Sequence, residues 1–154
     1  MAYTGFSALT NCPINIAQHA TCLVNGVIYV YGGYEGAGGY IHRLFSYTIG
    51  TDTWVTLQNP LTPWNASAMP AMVSYNGDIY VFEGSVTPRV KKYVISTNTF
   101  TNFDDTGPNR FQHSAFEYNG KVYLIGGSTT DTTFTNVTVN IFQFSPATWT
   151  TGVT

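Results

Sequence analysis

The side chains of this chain that could do chemistry are few and stand apart. There are three histidines (His19, His42 and His113) and two cysteines (Cys12 and Cys22). His19 follows Gln18 and His113 follows Gln112, so two imidazoles share a local context. A transition-metal site needs several such ligands to converge, and nothing near either histidine supplies the rest. The carboxylates Glu35, Asp104, Asp105 and Asp131 are scattered and lack a partner that would orient a general base. No Ser-His-Asp or Cys-His grouping stands out. The run Gly32-Gly33-Tyr34-Glu35-Gly36-Ala37-Gly38-Gly39 could cradle a phosphate, but it has no Lys-Ser/Thr ending and leads into a strand pattern, not a helix. Cys22 occupies an apolar strand position and reads as a small buried hydrophobe. Cys12 lies beside Pro13; two cysteines make no disulfide framework, and a Cys12–Cys22 bond stays open. Asn65-Ala66-Ser67 and Asn136-Val137-Thr138 match the N-glycosylation acceptor pattern, which arises easily by chance in a chain this rich in Asn, Ser and Thr. The expectation is no catalytic residue, no cofactor and no metal.

The elements that carry these residues repeat. Val24-Asn25-Gly26-Val27-Ile28-Tyr29-Val30-Tyr31-Gly32-Gly33 is matched by Tyr75-Asn76-Gly77-Asp78-Ile79-Tyr80-Val81-Phe82-Glu83-Gly84. Tyr118-Asn119-Gly120-Lys121-Val122-Tyr123-Leu124-Ile125-Gly126-Gly127 is the third copy. Asn-Gly between alternating apolar residues is a strong hairpin signal, because both turn positions take positive φ. The Asn residues stand 51 and 43 positions apart, a spacing typical of repeat architectures. A second motif keeps step: an aromatic, a polar turn, then an aromatic seven positions on, in Tyr47…Trp54, Tyr93…Phe100 and Phe142…Trp149. Another short strand precedes each Asn-Gly, at 19–24, 70–75 and 113–118. Each repeat therefore holds four antiparallel strands, a to d from inside to outside, over roughly 18–58, 69–104 and 112–153.

This pattern resembles the Kelch family of β-propellers. The residues that carry the resemblance are Gly32-Gly33 and Gly126-Gly127 closing strand b, Tyr29, Tyr80 and Tyr123 within it, and Trp54 and Trp149 beginning strand d. The middle repeat departs from it, with Glu83-Gly84 for the double glycine and Phe100 for the tryptophan. The resemblance implies an all-β fold of three four-stranded antiparallel blades. Some propellers of the wider class are copper oxidases with Tyr, Cys and His ligands, and no matching constellation is present. Gly33, Gly84 and Gly127 are expected where a side chain is rejected, and Trp54 and Trp149 largely buried between blades.

In an antiparallel meander the a–b and c–d turns share one edge of the blade, and the b–c and d–a connections share the other. The second set is long: 34–40, 85–89, 128–136, 58–68 and 104–111. Variable loops on a rigid scaffold are where function concentrates. They carry Tyr34, Tyr40, Trp64, Arg89, Arg110 and Phe134, residue types enriched at binding hot spots, and these are the candidate binding residues. The alternative role for Trp64 and Phe134 is to cover blade edges.

Composition bounds the partners. Charged residues make up 9% and aromatics 16%, with a formal net charge of -2, which argues against a nucleic-acid surface. No stretch approaches the apolar length of a membrane span. Met1-Ala2-Tyr3-Thr4-Gly5-Phe6 has neither basic residues nor an apolar core, so no secretory signal is expected. A surface rich in Thr, Asn, Gly and Tyr resembles virion fibres and extracellular assemblies, which favours that setting and leaves a cytoplasmic one open.

Propellers close with typically four to eight blades, so three leave two blade faces uncovered. A surplus strand is also expected over 4–10, where Phe6 takes the d-strand aromatic place: Phe6, Trp54, Phe100 and Trp149 are spaced 48, 46 and 49. The expected molecule is a non-catalytic recognition or scaffolding half-propeller that assembles with a second copy of itself into a six-bladed ring, or into a larger assembly, and recognises a protein or glycan through its long loops. The alternatives are a piece of a longer polypeptide closing in cis, and a sugar-modifying enzyme working at the channel mouth.

Overall fold

All three Asn-Gly pairs take the backbone their residue types allow. Asn25 and Gly26 have φ of 50° and 79°, Asn76 and Gly77 50° and 81°, and Asn119 and Gly120 52° and 74°. Positive φ at both positions gives the turn whose twist matches that of the flanking strands. In this computed structural model, residues 8–57, 69–83, 90–110, 112–129 and 138–152 are described.

Three four-stranded antiparallel sheets follow from those turns. The first holds β1 (Ala20–Val24), β2 (Val27–Tyr31), β3 (Leu44–Thr48) and β4 (Thr53–Thr56). The second holds β5 (Ala71–Tyr75), β6 (Asp78–Phe82), β7 (Val90–Val94) and β8 (Thr99–Asp104). The third holds β9 (Ser114–Tyr118), β10 (Lys121–Ile125), β11 (Asn140–Phe144) and β12 (Ala147–Thr151). Within each sheet the spatial order is the chain order. The hairpin register is the same in all three: Val24 faces Val27, Tyr75 faces Asp78 and Tyr118 faces Lys121. The first strands pack against one another, β1 on β5 and β5 on β9, so they are the inner strands of three adjacent blades.

The core is made of two seams between blades. β6 shows why: Ile79 and Val81 point to the first blade, Tyr80 and Phe82 to the third, and all four are buried. A strand covered on both faces loses the apolar–polar alternation and reads as a continuous apolar run. The first seam gathers Tyr29, Tyr31 and Leu44 with Met72, Ile79, Val81 and Tyr93. The second gathers Val73, Tyr80 and Phe82 with Val122, Leu124 and Phe142. Full burial of such side chains stabilises by about 1.5–3 kcal/mol each, so blade-on-blade packing holds the molecule together.

The d-strand aromatics lean toward the preceding blade. Phe100 lies 5.7 Å from the ring of Tyr31 across the first seam, and Trp149 lies 6.0 Å from Phe82 across the second. Both stay half-buried. Trp54 has no blade on that side. It is half-buried against Tyr47, 4.9 Å away, and its indole N–H donates to Thr10 O at 2.9 Å, so its burial between blades is not realised within this chain. The indole of Trp149 donates to Asp104 Oδ2 at 2.7 Å in the same way. Thr10 precedes Trp54 by 44 positions and Asp104 precedes Trp149 by 45. The segment from Thr10 to Gln18 thus lies on the first blade as the connection from Asp104 to Arg110 lies on the third. Of the strand expected over 4–10, residues 8–10 run outside any ladder, while Phe6 and the rest lie outside the described residues.

Candidate functional site

In the first blade the b–c connection meets the segment that enters β1, and the backbone there is built for close approach. Gly33 has φ of +101°, and a Cβ on it would sit 2.5 Å from the carbonyl oxygen of Ala17. Tyr34 and Ala17 exchange backbone hydrogen bonds of 2.8 and 3.0 Å, which pins the Gly-rich loop to the chain entering β1. Gly127 also has positive φ, 89°. Gly84 lies outside the described residues.

The tyrosines of that pinned loop form the exposed part of the site. Tyr34 and Tyr40 are bridged through their backbones, and their rings meet edge to face at 5.3 Å. Glu35 lies 3.7 Å from Arg43 at the surface. Arg110, expected on the same face, is buried instead. Its guanidinium donates to the carbonyls of Leu124 (3.2 Å) and Thr138 (2.9 Å) and to Thr138 Oγ1 (3.0 Å), tying the chain before β9 to the third blade. A buried charged group needs such partners, and here the protein supplies them to both terminal nitrogens, while Nε is buried without one among the described residues. Trp64, Arg89 and Phe134 lie outside the described residues, as does Asp131.

Beneath this face, between the first two blades, lies a charged cluster that the repeat pattern passes over. Glu83 and Lys91 form an ion pair of 2.7 Å with both side chains fully buried. The hydroxyl of Tyr31 donates to the same oxygen, Glu83 Oε1, at 3.0 Å. Burial, and then the Glu83 charge, hold that hydroxyl well above its ordinary pKa, so it stays a neutral donor. His42 sits nearby with its pKa lowered, first by burial and then by the Lys91 charge. Glu83 Oε2 is buried without a hydrogen-bond partner among the described residues. The signal for this cluster was present in the chain. Glu83 stands where the other repeats have Gly32 and Gly126, and Lys91 where they have Phe45 and Asn140.

The channel mouth is lined by the starts of the three inner strands. Gln18, Met69 and Gln112 take φ of 59°, 56° and 58°, so the same left-handed residue opens each inner strand. Gln112 N–H donates to Met69 O at 3.3 Å, linking neighbouring blades there. His19, Pro70, Met72, His113 and Phe116 border a cavity of about 280 Å³. His19 is exposed, whereas His113 is buried and its pKa is pushed down to about 4, by burial first and the Arg110 charge second. Among the described residues no three His, Cys, Asp or Glu side chains converge to hold a metal. Cys12 and Cys22 are free thiols, and burial pushes Cys22 up to about 12. No helix among the described residues is long and apolar enough to cross a membrane.

With this geometry in view, the comparisons with known proteins agree on one architecture. A family model described as the Kelch motif matches residues 16–61. Kelch repeat protein C2 of Vaccinia virus (strain Western Reserve) is 32% identical over 139 residues, covering 82% of this chain and 25% of that protein. Kelch domain-containing protein 3 of Homo sapiens is 27% identical over 126 residues, covering 71% of this chain and 33% of that protein. The chain therefore spans between about a quarter and a third of the length of these two relatives. The solved structure of YjhT superposes with a TM-score of 0.80 at 16% identity, covering 96% of this chain and 55% of that one. At that identity the likeness speaks for the fold alone.

Proposed function

Because this chain belongs to the Kelch-repeat family, we propose that it is a non-catalytic recognition and scaffolding module that offers its long-loop face to a protein or glycan. The observation that carries this reading is the exposed Tyr34–Tyr40 pair. The pair is held by backbone hydrogen bonds to the rigid entry of β1. Aromatic pairs with polar tips on a fixed backbone make good contact surfaces at low entropic cost. The groove of about 600 Å³ beside Tyr34 is lined by Cys12 and His19, which no hydrogen bond joins among the described residues, and the buried Tyr31 and Lys91 both engage Glu83 Oε1. Probing glycan and protein arrays with the purified chain, beside a parallel hydrolase screen, tests the reading. Binding that drops at least tenfold in Tyr34→Ala and Tyr40→Ala supports it. Turnover of any substrate, or binding that ignores both substitutions, refutes it.

The same proposal includes a closed ring made with a second copy. Three blades cover 55% of the YjhT chain, which supports counting them as about half a propeller. Blades supplied by a longer polypeptide would close the ring equally well. The mass of the native assembly separates the two.

A further inference from the structure

The two uncovered faces of the molecule carry the halves of one more seam. We infer that the outer face of the third blade docks on the outer face of the first blade of a second copy, through Tyr118 on Ile49, Tyr123 on Tyr47 and Ile125 on Trp54. This inference rests on the ring reading above and specifies its joint.

The pairing follows from the two seams already formed. The last residue of each b strand meets the d-strand aromatic of the next blade: Tyr31 meets Phe100 at 5.7 Å, and Phe82 meets Trp149 at 6.0 Å. Their counterparts in the repeat are Ile125 and Trp54. The b-strand tyrosine of the first blade meets a c-strand aromatic, Tyr29 with Tyr93 at 6.2 Å, whereas Tyr80 meets Phe144 at 4.6 Å, two residues beyond Phe142, the counterpart of Tyr93. The third tyrosine is Tyr123, and the first blade offers Tyr47 at the place of Tyr93. The residue before each Asn-Gly turn packs on the residue that follows strand c or ends it. Val24 and Ile95 share the first seam, and Tyr75 stacks on Phe144 at 3.9 Å in the second. Their counterparts are Tyr118 and Ile49. The joint continues contacts the chain has already built in one or both of its seams.

Exposure marks Tyr118, Ile49 and Ile125, while Trp54 and Tyr123 are half-buried and Tyr47 is 7% exposed. Tyr118 is 71% exposed, Phe116 60%, Ile49 49% and Ile125 47%. The exposed large hydrophobics found among the described residues all lie in the first and third blades or in the segments leading into and out of their strands, and none in the second blade. Contiguous exposed apolar surface of this kind marks an interaction site. Beside Trp54 the first-blade face opens into a groove of about 600 Å³ lined by Ile14, Ile16 and Val30, which leaves room for an incoming side chain. The two faces differ, so the contact is heterologous, and a ring of two copies would contain it twice.

Sedimentation of the full chain across the micromolar range, with Tyr118→Lys and Ile49→Lys, tests this. Both positions are exposed, so both variants should keep the wild-type circular dichroism. The wild type should sediment as two 16.9 kDa chains, and each variant alone should pair at least tenfold more weakly. An equimolar mixture should pair better than either variant, because it regains one undamaged joint. A wild-type pair unaffected by either substitution would overturn this joint while leaving a ring of two copies standing. A compact wild-type monomer would overturn both and point to blades of a longer polypeptide as the occupant. Growth beyond two copies would overturn the closed ring.

Discussion

Replacing Lys91 by Met should be among the most damaging single changes in this fold. Its ammonium lies 2.7 Å from Glu83 Oε1, and neither side chain is exposed. Removing the cation leaves a carboxylate between the first two blades with, among the described residues, the Tyr31 hydroxyl as its remaining hydrogen-bond donor. Breaking a buried pair from one side costs about 3–5 kcal/mol, a large share of a domain's stability of roughly 5–15 kcal/mol. For a chain of this size that corresponds to a fall in Tm of roughly 10 °C. Neutralising the partner as well should recover much of the loss, because a buried pair replaced by neutral groups of similar volume is often neutral or stabilising. The sibling repeats already carry uncharged residues at these places, Gly32 and Phe45 in one and Gly126 and Asn140 in the other. The assay is a double-mutant cycle by urea denaturation with Lys91→Met, Glu83→Gln and the double variant. Protein concentration must be fixed, since association would contribute to the apparent stability. A Lys91→Met loss below about 1 kcal/mol, or a double variant costing the sum of the singles, would refute the reasoning.

Gly33→Val should destabilise by more than about 2 kcal/mol, since φ is +101° and the added Cβ would meet Ala17 O at 2.5 Å; a variant with wild-type Tm would contradict that geometry. Trp149→Ala should cost about 3–5 kcal/mol, the range for large-to-small changes in a packed core, because the ring packs on Phe82 and Phe142 and its N–H is bound to Asp104. Trp54→Ala should cost clearly less in the isolated chain, and equal losses in denaturation would mean its face is already covered. His113 is held neutral, with its pKa down at about 4 from an ordinary 6.5. Its contribution is therefore full above pH 6.5 and is lost as the pH falls toward 4, by about 3 kcal/mol at most. His113→Phe should flatten stability measured across that window, and an unchanged slope would show that other groups set it.

Much of this molecule is local chemistry and could be read from the chain. Asn25-Gly26, Asn76-Gly77 and Asn119-Gly120 fix their turns because both positions need positive φ, and no distant contact is required for that. Period two in β6, with Ile79 and Val81 on one face and Tyr80 and Phe82 on the other, sets which residues each seam receives. The Kelch-type blades, their number and their aromatic contacts follow from such repeats. Arg110 shows the limit: its residue type fits a binding loop, yet the carbonyls of Leu124 and Thr138 take its guanidinium inside the fold. The Glu83–Lys91 pair was visible only as two departures from the repeat, because Tyr31, its third member, stands 52 positions from Glu83 and reaches it only when two blades close. The half-buried state of Trp54 was likewise a tertiary matter. Its sequence place equals that of Trp149, but burial depends on whether a neighbouring blade covers it, and among the described residues the segment at Thr10 lies there instead. Local residue types decide which side chains can be buried, and the arrangement of whole blades decides which of them are.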